Sequence, residues 1–253
     1  MRTIRFTYEG YTGYGEVRSD KVHVLDRAPY LGANETGVVI DLADVRLLAP
    51  CVPGKIIAVG VNYSDHAAEV NFEKPPEEPL IFMKPPSSVI GPDVAIEIPA
   101  GSQSVDHECE LAVVIGRRCR NVRCEDALSV VYGYTCLNDV SERAMQKKDG
   151  QWVRAKGFDT FCPLGPWIET DVDPADLIIR SILNGEIKQD STTALLLNPV
   201  DKLIEFISGI MTLEPGDVIA TGTPSGVSPM RGGDEIEIFI EGIGSLKNPV
   251  VAL

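Results

Sequence analysis

The sequence predicts a β-rich α+β protein, with a small N-terminal domain over residues 1–50 and a larger domain over 51–253. Three observations carry that prediction. Short stretches alternate apolar and polar residues with period two, the pattern of half-buried strands. Helical periodicity is confined to a few segments that do not alternate regularly with strands, which disfavours Rossmann and TIM-barrel architectures. Between the two regions, Ala49-Pro50-Cys51-Val52-Pro53-Gly54 holds two prolines and a glycine that break any regular element.

In chain order, residues 2–8 and 15–25 alternate over much of their length and read as strands. The region before residue 50 carries no cluster of catalytic residue types. Residues 55–61 form a short apolar strand, and 62–70 a helix that Asn62 or Ser64 is placed to cap. Residues 71–79 are an acidic loop studded with prolines, and 80–84 a strand. Residues 107–116 and 132–138 read as longer, buried strands. Asn184-Gly185, inside 181–189, is a strong hairpin signal. Residues 199–210 have helical periodicity. Glu214-Pro215-Gly216-Asp217 is a turn into a strand at 218–220, and 234–240 alternates as a last strand.

Composition narrows the function. Lys and Arg number 23 against 37 Asp and Glu, a net charge of −14. Nucleic-acid binding needs a positive surface and is disfavoured. No run approaches the ~18 apolar residues of a membrane span, and the first residues hold no apolar core of a signal peptide. The six cysteines form no CxxC pair and read as reduced, mostly buried thiols of a cytoplasmic protein. No GxGxxG or Walker A pattern points to a nucleotide.

Within 107–116, His107, Cys109, Leu111, Val113 and Ile115 share one face. Glu108, Glu110, Ala112 and Val114 share the other, which puts two glutamates about 6.5–7 Å apart along the strand. Two like charges on an otherwise apolar strand repel unless a cation lies between them. A solvent-facing strand end is the competing reading. Asp139 closes the 132–138 strand; it is either a third ligand or the N-cap of a helix over 141–148. Three carboxylates suit Mg²⁺ or Mn²⁺, whereas zinc would want His or Cys at close spacing. His66 and Glu69 are three apart on the expected helix and so share a face, the arrangement of a general-base dyad or of an exposed surface pair.

Six segments then stand in a telling order: Val61-Asn62-Tyr63-Ser64-Asp65-His66, Pro79 to Pro85, His107-Glu108-Cys109-Glu110-Leu111, Gly133-Tyr134 with Asp139, Arg154-Ala155-Lys156, and Thr221-Gly222-Thr223-Pro224. Together they resemble the fumarylacetoacetate hydrolase family, from about residue 51 to the C-terminus. The likeness is to its short members: acylpyruvate hydrolases, oxaloacetate decarboxylases, and the isomerase/decarboxylases of homoprotocatechuate catabolism. The resemblance implies a mixed β-sandwich roll, a homodimer, and Mg²⁺ held by Glu108, Glu110 and Asp139. It implies that Lys156 pairs with a substrate carboxylate or oxyanion, and that His66 and Glu69 activate water on a lid over 62–79. It also implies that Lys84, Arg143, Gln146 and Thr223 bind substrate. His107 is expected to pack away from the glutamates, and Trp152 and Trp167 to lie in the core. The implied activity is metal-dependent C–C cleavage of a small 2-oxo acid through an enolate. Isomerisation of a 2-hydroxy-dienoic acid is the near alternative, and a non-catalytic binding protein on the same fold the remote one.

Overall fold

The computed structural model describes residues 1–69 and 77–253, and only the backbone of 67–69. The chain opens with β1 (Arg2–Tyr8), β2 (Tyr11–Arg18), β3 (Lys21–Leu25), β4 (Glu35–Asp41) and β5 (Arg46–Leu48). The 15–25 stretch is therefore two strands rather than one; a turn at Ser19 and Asp20 parts them. Next come β6 (Ile56–Gly60), α1 (Ser64–Glu69) and β7 (Leu80–Lys84). The lid expected over 62–79 falls partly outside the described residues.

The chain continues with β8 (Val89–Ile90), β9 (Ile96–Ile98), β10 (Val105–His107), β11 (Cys109–Ile115) and β12 (Val131–Asn138). Then come β13 (Ser141–Glu142), α2 (Arg143–Asp149), α3 (Val153–Lys156) and β14 (Cys162–Glu169). β15 (Ile178–Leu183) and β16 (Glu186–Thr192) form the expected hairpin. Asn184 and Gly185 turn it with φ of 52° and 81°, as a two-residue hairpin with matching twist requires. α4 (Val200–Ile210) buries Val200, Leu203, Ile204 and Ile207, the i, i+3, i+4, i+7 face of an amphipathic helix. Strands β17 (Val218–Ala220), β18 (Ser228–Met230), β19 (Glu235–Ile240) and β20 (Gly244–Ala252) complete the fold.

Among the described residues the strands form three sheets. The largest has twelve strands and runs β4-β3-β2-β1-β14-β12-β11-β17-β6-β7, with β5 on β1 and β8 on β14. A five-stranded sheet runs β16-β15-β19-β20-β9, and a three-stranded one β13-β10-β18. This is a mixed α+β fold in which strands dominate. β11 is central, and every residue of it is buried. Leu111, Val113 and Ile115 face the main core, with Ile179, Ile236 and Ile238 of the five-stranded sheet and Leu203, Ile204 and Ile207 of α4. Ala112 and Val114 face a second core, with Leu137, Leu164 and Ile168. A strand buried on both faces reads as a continuous apolar run, which is why CELAVVI carries so few polar residues. Glu110 lies on the Ala112 face.

Residues 1–50 keep their own small core of Ile4, Phe6, Val22 and Val24. Yet β1 also pairs with β14, Arg2 against Glu169 and Thr3 against Ile168, so the N-terminal strands extend the main sheet. Trp167 packs against both cores, as expected of a structural residue, and Arg2 stacks over its ring at 4.9 Å. All six cysteines are free thiols; Cys119 and Cys124 are partly exposed. Among the described residues no helix is long and apolar enough to cross a membrane.

Shared strands make one cooperative unit the expected outcome. Phe6→Ala, at a fully buried position, should cost about 3–5 kcal/mol and lower a single transition in scanning calorimetry. A separate early transition would show instead that residues 1–50 fold on their own.

Candidate active site

Glu108, Glu110 and Asp139 offer carboxylate oxygens that all lie within 4.8 Å of one another, and all three residues are buried. Three elements bring them together. Glu110 stands on β11. Glu108 occupies the break between β10 and β11, where the chain passes from the three-stranded to the twelve-stranded sheet. The long strand expected over 107–116 is thus two strands, and Glu108 lies between them. Asp139 follows β12, the antiparallel partner of β11. Its amide donates to the Glu108 carbonyl at 2.9 Å. Asp139 caps no helix: α2 begins at Arg143, and its cap is Glu142, which accepts from the Met145 amide at 2.5 Å.

Buried like charges need compensation. Lys156 Nζ donates to Glu108 Oε2 at 2.8 Å and to Asp139 Oδ2 at 2.7 Å. Arg143 Nη1 reaches Glu108 Oε1 at 2.7 Å. Burial alone would raise the Glu108 pKa, but the ammonium of Lys156 and the guanidinium of Arg143 outweigh it and hold the carboxyl well below its usual range. For Lys156, burial opposes the charge, and the carboxylates of Asp139 and Glu108 overcome it, so its pKa is raised. Glu110 differs. Among the described residues the only hydrogen bond to its carboxylate comes from the Gly222 amide, at 2.9 Å to Oε2. Burial, then the charges of Asp139 and Glu108, push its pKa well up.

Lys84 is fully buried beneath Asp139 and does not line the cavity. Its Nζ donates to Asp139 Oδ1 at 2.6 Å and to the Lys156 carbonyl at 2.5 Å. The structure thus sets its ammonium against the Asp139 carboxylate and not on the cavity wall, where the resemblance implied a substrate ligand.

The triad opens into a cavity of about 510 Å³. Its wall includes His66, Lys156, Arg143, Gln146 and Thr223. Arg143 is itself held: Nε donates to Asp106 Oδ2 at 2.8 Å, and Nη1 to Gln146 Oε1 at 3.0 Å. Thr223 Oγ1 donates to the Cys109 carbonyl at 3.0 Å and accepts from Gln189 Nε2 at 2.7 Å. Its hydroxyl is committed to the scaffold. His66 is buried near the N-terminus of α1 and lines the same cavity as the α2 residues Arg143 and Gln146. The Glu69 side chain lies outside the described residues. His107 packs away from the glutamates, as expected. Its Nε2 lies 2.8 Å from Ser228 Oγ and its Nδ1 3.3 Å from Gln189 Oε1, and burial lowers its pKa to about 4.

Sequence reasoning missed part of the wall. Trp152, expected in the core, lines the cavity edge-on to Phe82, with ring centroids 5.1 Å apart. A Cβ on Gly60 would sit 2.6 Å from the Trp152 ring, so the bare glycine admits it. Alternation along β7 puts Phe82 on the face of Lys84, a usable signal. Asp106 and Lys147 also line the cavity, and neither had a sequence signature. The turn after β6 places Val61 at φ 56°, an unusual backbone for a β-branched residue. Asn62 holds it: Nδ2 donates to the carbonyls of Thr221 (2.7 Å) and Asn198 (3.0 Å). Asn62 is thus a loop clamp, not a helix cap.

The donor set fits a divalent cation. It is all oxygen, convergent and buried, and one of its three carboxylates lacks a cation of its own. Comparison with known proteins agrees with that fold. Residues 55–251 match the fumarylacetoacetate (FAA) hydrolase C-terminal family model, and residues 1–50 match an Rv2993c-like N-terminal model. The chain belongs to the fumarylacetoacetate hydrolase family, and it is an enzyme of that family. The crystal structure of a 5-carboxymethyl-2-hydroxymuconate delta-isomerase from Mycobacterium smegmatis is 49% identical, with TM-score 0.95 and 100% of both chains covered. An oxaloacetate tautomerase from Xenopus laevis is 46% identical over 84% of this chain and 70% of its own. A maleylpyruvate hydrolase from Sphingobium, solved with manganese(II) and pyruvate, is 34% identical, with TM-score 0.82, covering 100% of this chain and 99% of its own.

Removing one partner of a buried ion pair costs about 3–5 kcal/mol. Lys84→Met should destabilise the metal-free protein by about that much in urea, and Mn²⁺ should restore part of the loss. Equal loss with and without Mn²⁺ would show that Asp139 does not share its charge between lysine and metal.

Proposed function

We propose that this enzyme holds one divalent cation on Glu108, Glu110 and Asp139 and breaks a C–C bond of a small 2-oxo acid by hydrolysis or decarboxylation, the electron pair of the broken bond passing into the enolate of the 2-oxo fragment. The buried oxygen triad, opening into a cavity shared with His66 and Lys156, carries the reading. Magnesium is the ion the resemblance implies. Manganese, present in the maleylpyruvate hydrolase complex, suits the same donors. When bound, the cation supplies positive charge to the carboxylate and 2-oxo oxygens of the substrate, which favours negative charge on the 2-oxo oxygen.

Charge balance selects an anionic substrate. With all groups ionised, the triad and Asp106 carry one negative charge more than the cations paired to them, Lys84, Arg143 and Lys156, and Lys147 on the wall offsets that excess. A divalent cation would make the site net positive, and a carboxylate would then be attracted despite the acidic surface of the whole chain. Lys156, already aimed at the triad, stabilises an oxygen that gains charge. Arg143 and Gln146 orient the substrate from α2. His66 moves the proton, on the carbon beside the 2-oxo group or on an attacking water. Thr223 contributes shape and backbone, since its hydroxyl is occupied. Phe82 and Trp152 exclude water on the apolar side.

A second reading stops at proton transfer: tautomerisation or isomerisation with no carbon bond broken. Greater identity to the oxaloacetate tautomerase (46%) and the delta-isomerase (49%) than to the maleylpyruvate hydrolase (34%) favours it. One experiment separates the two. Acetylpyruvate, oxaloacetate and a 2-hydroxy-dienedioate are incubated with protein and Mg²⁺ or Mn²⁺ and monitored by proton NMR. Acetate plus pyruvate from acetylpyruvate, or pyruvate from oxaloacetate, supports cleavage. Accelerated keto–enol exchange or migration of the diene signals, without cleavage, supports the second reading. Activity that survives Glu110→Gln would count against the metal site under either. His66→Ala should abolish hydrolysis and spare decarboxylation; equal loss of both would contradict the proton-transfer role given to His66.

A further inference from the structure

Glu108 stands where the strand ladder is interrupted, so its backbone needs partners that a continuous sheet would have provided. Two carboxamides stand in. Asn138 Oδ1 accepts from the Glu108 amide at 2.9 Å, and Gln189 Oε1 accepts from the Cys109 amide at 2.9 Å. Gln189 comes from β16, in a different sheet, and is fully buried. Its own amide donates to Ser181 Oγ at 3.1 Å, which fixes where the side chain starts.

The orientation of the Gln189 carboxamide is set by its partners. The Cys109 amide only donates, so it faces Oε1. The Pro224 carbonyl only accepts, so the atom 2.8 Å from it is Nε2. The second Nε2 proton goes to Thr223 Oγ1 at 2.7 Å, and the second Oε1 lone pair faces His107 Nδ1 at 3.3 Å. His107 therefore carries its proton on Nδ1, and Nε2 of the neutral ring accepts from Ser228. All four hydrogen-bonding positions of one carboxamide are used. They grip the residues on both sides of Glu108, namely His107 and Cys109, and the two residues after Gly222, namely Thr223 and Pro224. The Gly222 amide in turn holds Glu110.

We propose that Gln189 is a positioning residue for the site. It sets the distance between the Glu108 break and the 221–224 loop, and so the placement of two carboxylates of the triad relative to the cavity wall. It touches neither substrate nor metal. The inference rests on the reading of the triad as a metal site. Its halves act separately: Oε1 holds the Glu108 side, Nε2 the Thr223 side.

The test measures Mn²⁺ affinity by electron paramagnetic resonance, together with KM and kcat for the substrate turned over, in wild type, Gln189→Met and Gln189→Glu. Gln189→Met has similar length and no hydrogen bonds. It should bind Mn²⁺ about tenfold more weakly or worse, with kcat reduced. Gln189→Glu keeps the acceptors for Cys109 and His107 and loses both donors. It should recover Mn²⁺ affinity while KM stays raised, a split that general destabilisation would not produce. Wild-type Mn²⁺ affinity and kinetics in Gln189→Met overturn the inference alone, and so does equal loss of Mn²⁺ affinity in both variants. If Gln189→Met does not fold, the split in Gln189→Glu decides: raised KM with retained affinity supports the role, and both unchanged or both lost overturns it. A wild-type protein that binds no Mn²⁺ overturns the metal reading along with it.

Discussion

Repulsion among Glu108, Glu110 and Asp139 is the constraint around which the rest of the site is arranged. Two unit charges at 4 Å repel by about 4 kcal/mol in the effective dielectric of a protein surface, and burial removes the water that would soften this. The chain answers with two lysines and an arginine, each delivered by a different element: Lys84 by β7, Lys156 by α3, Arg143 by α2. Their placement is unequal. Asp139 takes two ammonium groups and Glu108 an ammonium and a guanidinium, while Glu110 receives one backbone amide. A site that were only structural would gain by satisfying all three. The deficit at Glu110 would give a divalent cation something to bind.

Holding such a cluster needs a rigid frame. Burying β11 on both faces and pairing it with β12 and β17 supplies one. But a regular ladder alone would leave Glu108 and Glu110 about 6.5–7 Å apart along the strand, with no route for Asp139 to approach both. Breaking the strand at Glu108 frees that residue to turn toward the others. The break exposes backbone groups that the interior does not tolerate unpaired. Asn138 and Gln189 take them up with side-chain oxygens. The interruption of the sheet and the buried carboxamides are therefore one device, and the strained turn at Val61, clamped by Asn62, obeys the same logic on another part of the wall.

Much of this was legible in the sequence, and the exceptions have physical causes. Period-two alternation placed Glu110 and Ala112 on one face of β11, because the strand is regular there. It carried the same rule one residue too far, to Glu108, since nothing local announces a sheet change between His107 and Cys109. Asp139 and Glu142 both precede α2, and choosing between them as cap needed the three-residue reach from Glu142 to the Met145 amide. Lys84 looked like a substrate ligand because its position in the motif is shared. Its burial under Asp139 depends on how β7 docks, which is a tertiary fact. Trp152 looked like core because large aromatics usually are; it borders the cavity because Gly60 leaves room for its ring.

The relatives named for isomerisation, tautomerisation and hydrolysis share this frame, which is understandable if the costly part of the chemistry is common to all. Placing negative charge on the oxygen beside a carboxylate requires concentrated positive charge, and under the proposed reading the carboxylate cluster with a divalent cation would provide it for every one of these reactions. The choice among them would then fall to the wall farther out, where Arg143, Gln146 and Lys147 share the cavity with Phe82 and Trp152. A polar, cationic side and an aromatic side impose an orientation on an elongated acid. They would also determine whether a proton, a carboxylate or an acyl carbon ends up beside His66. Reaction type is then a matter of registration along the cavity, and residues that fix the registration without touching substrate belong to the specificity of the enzyme as much as those that line it.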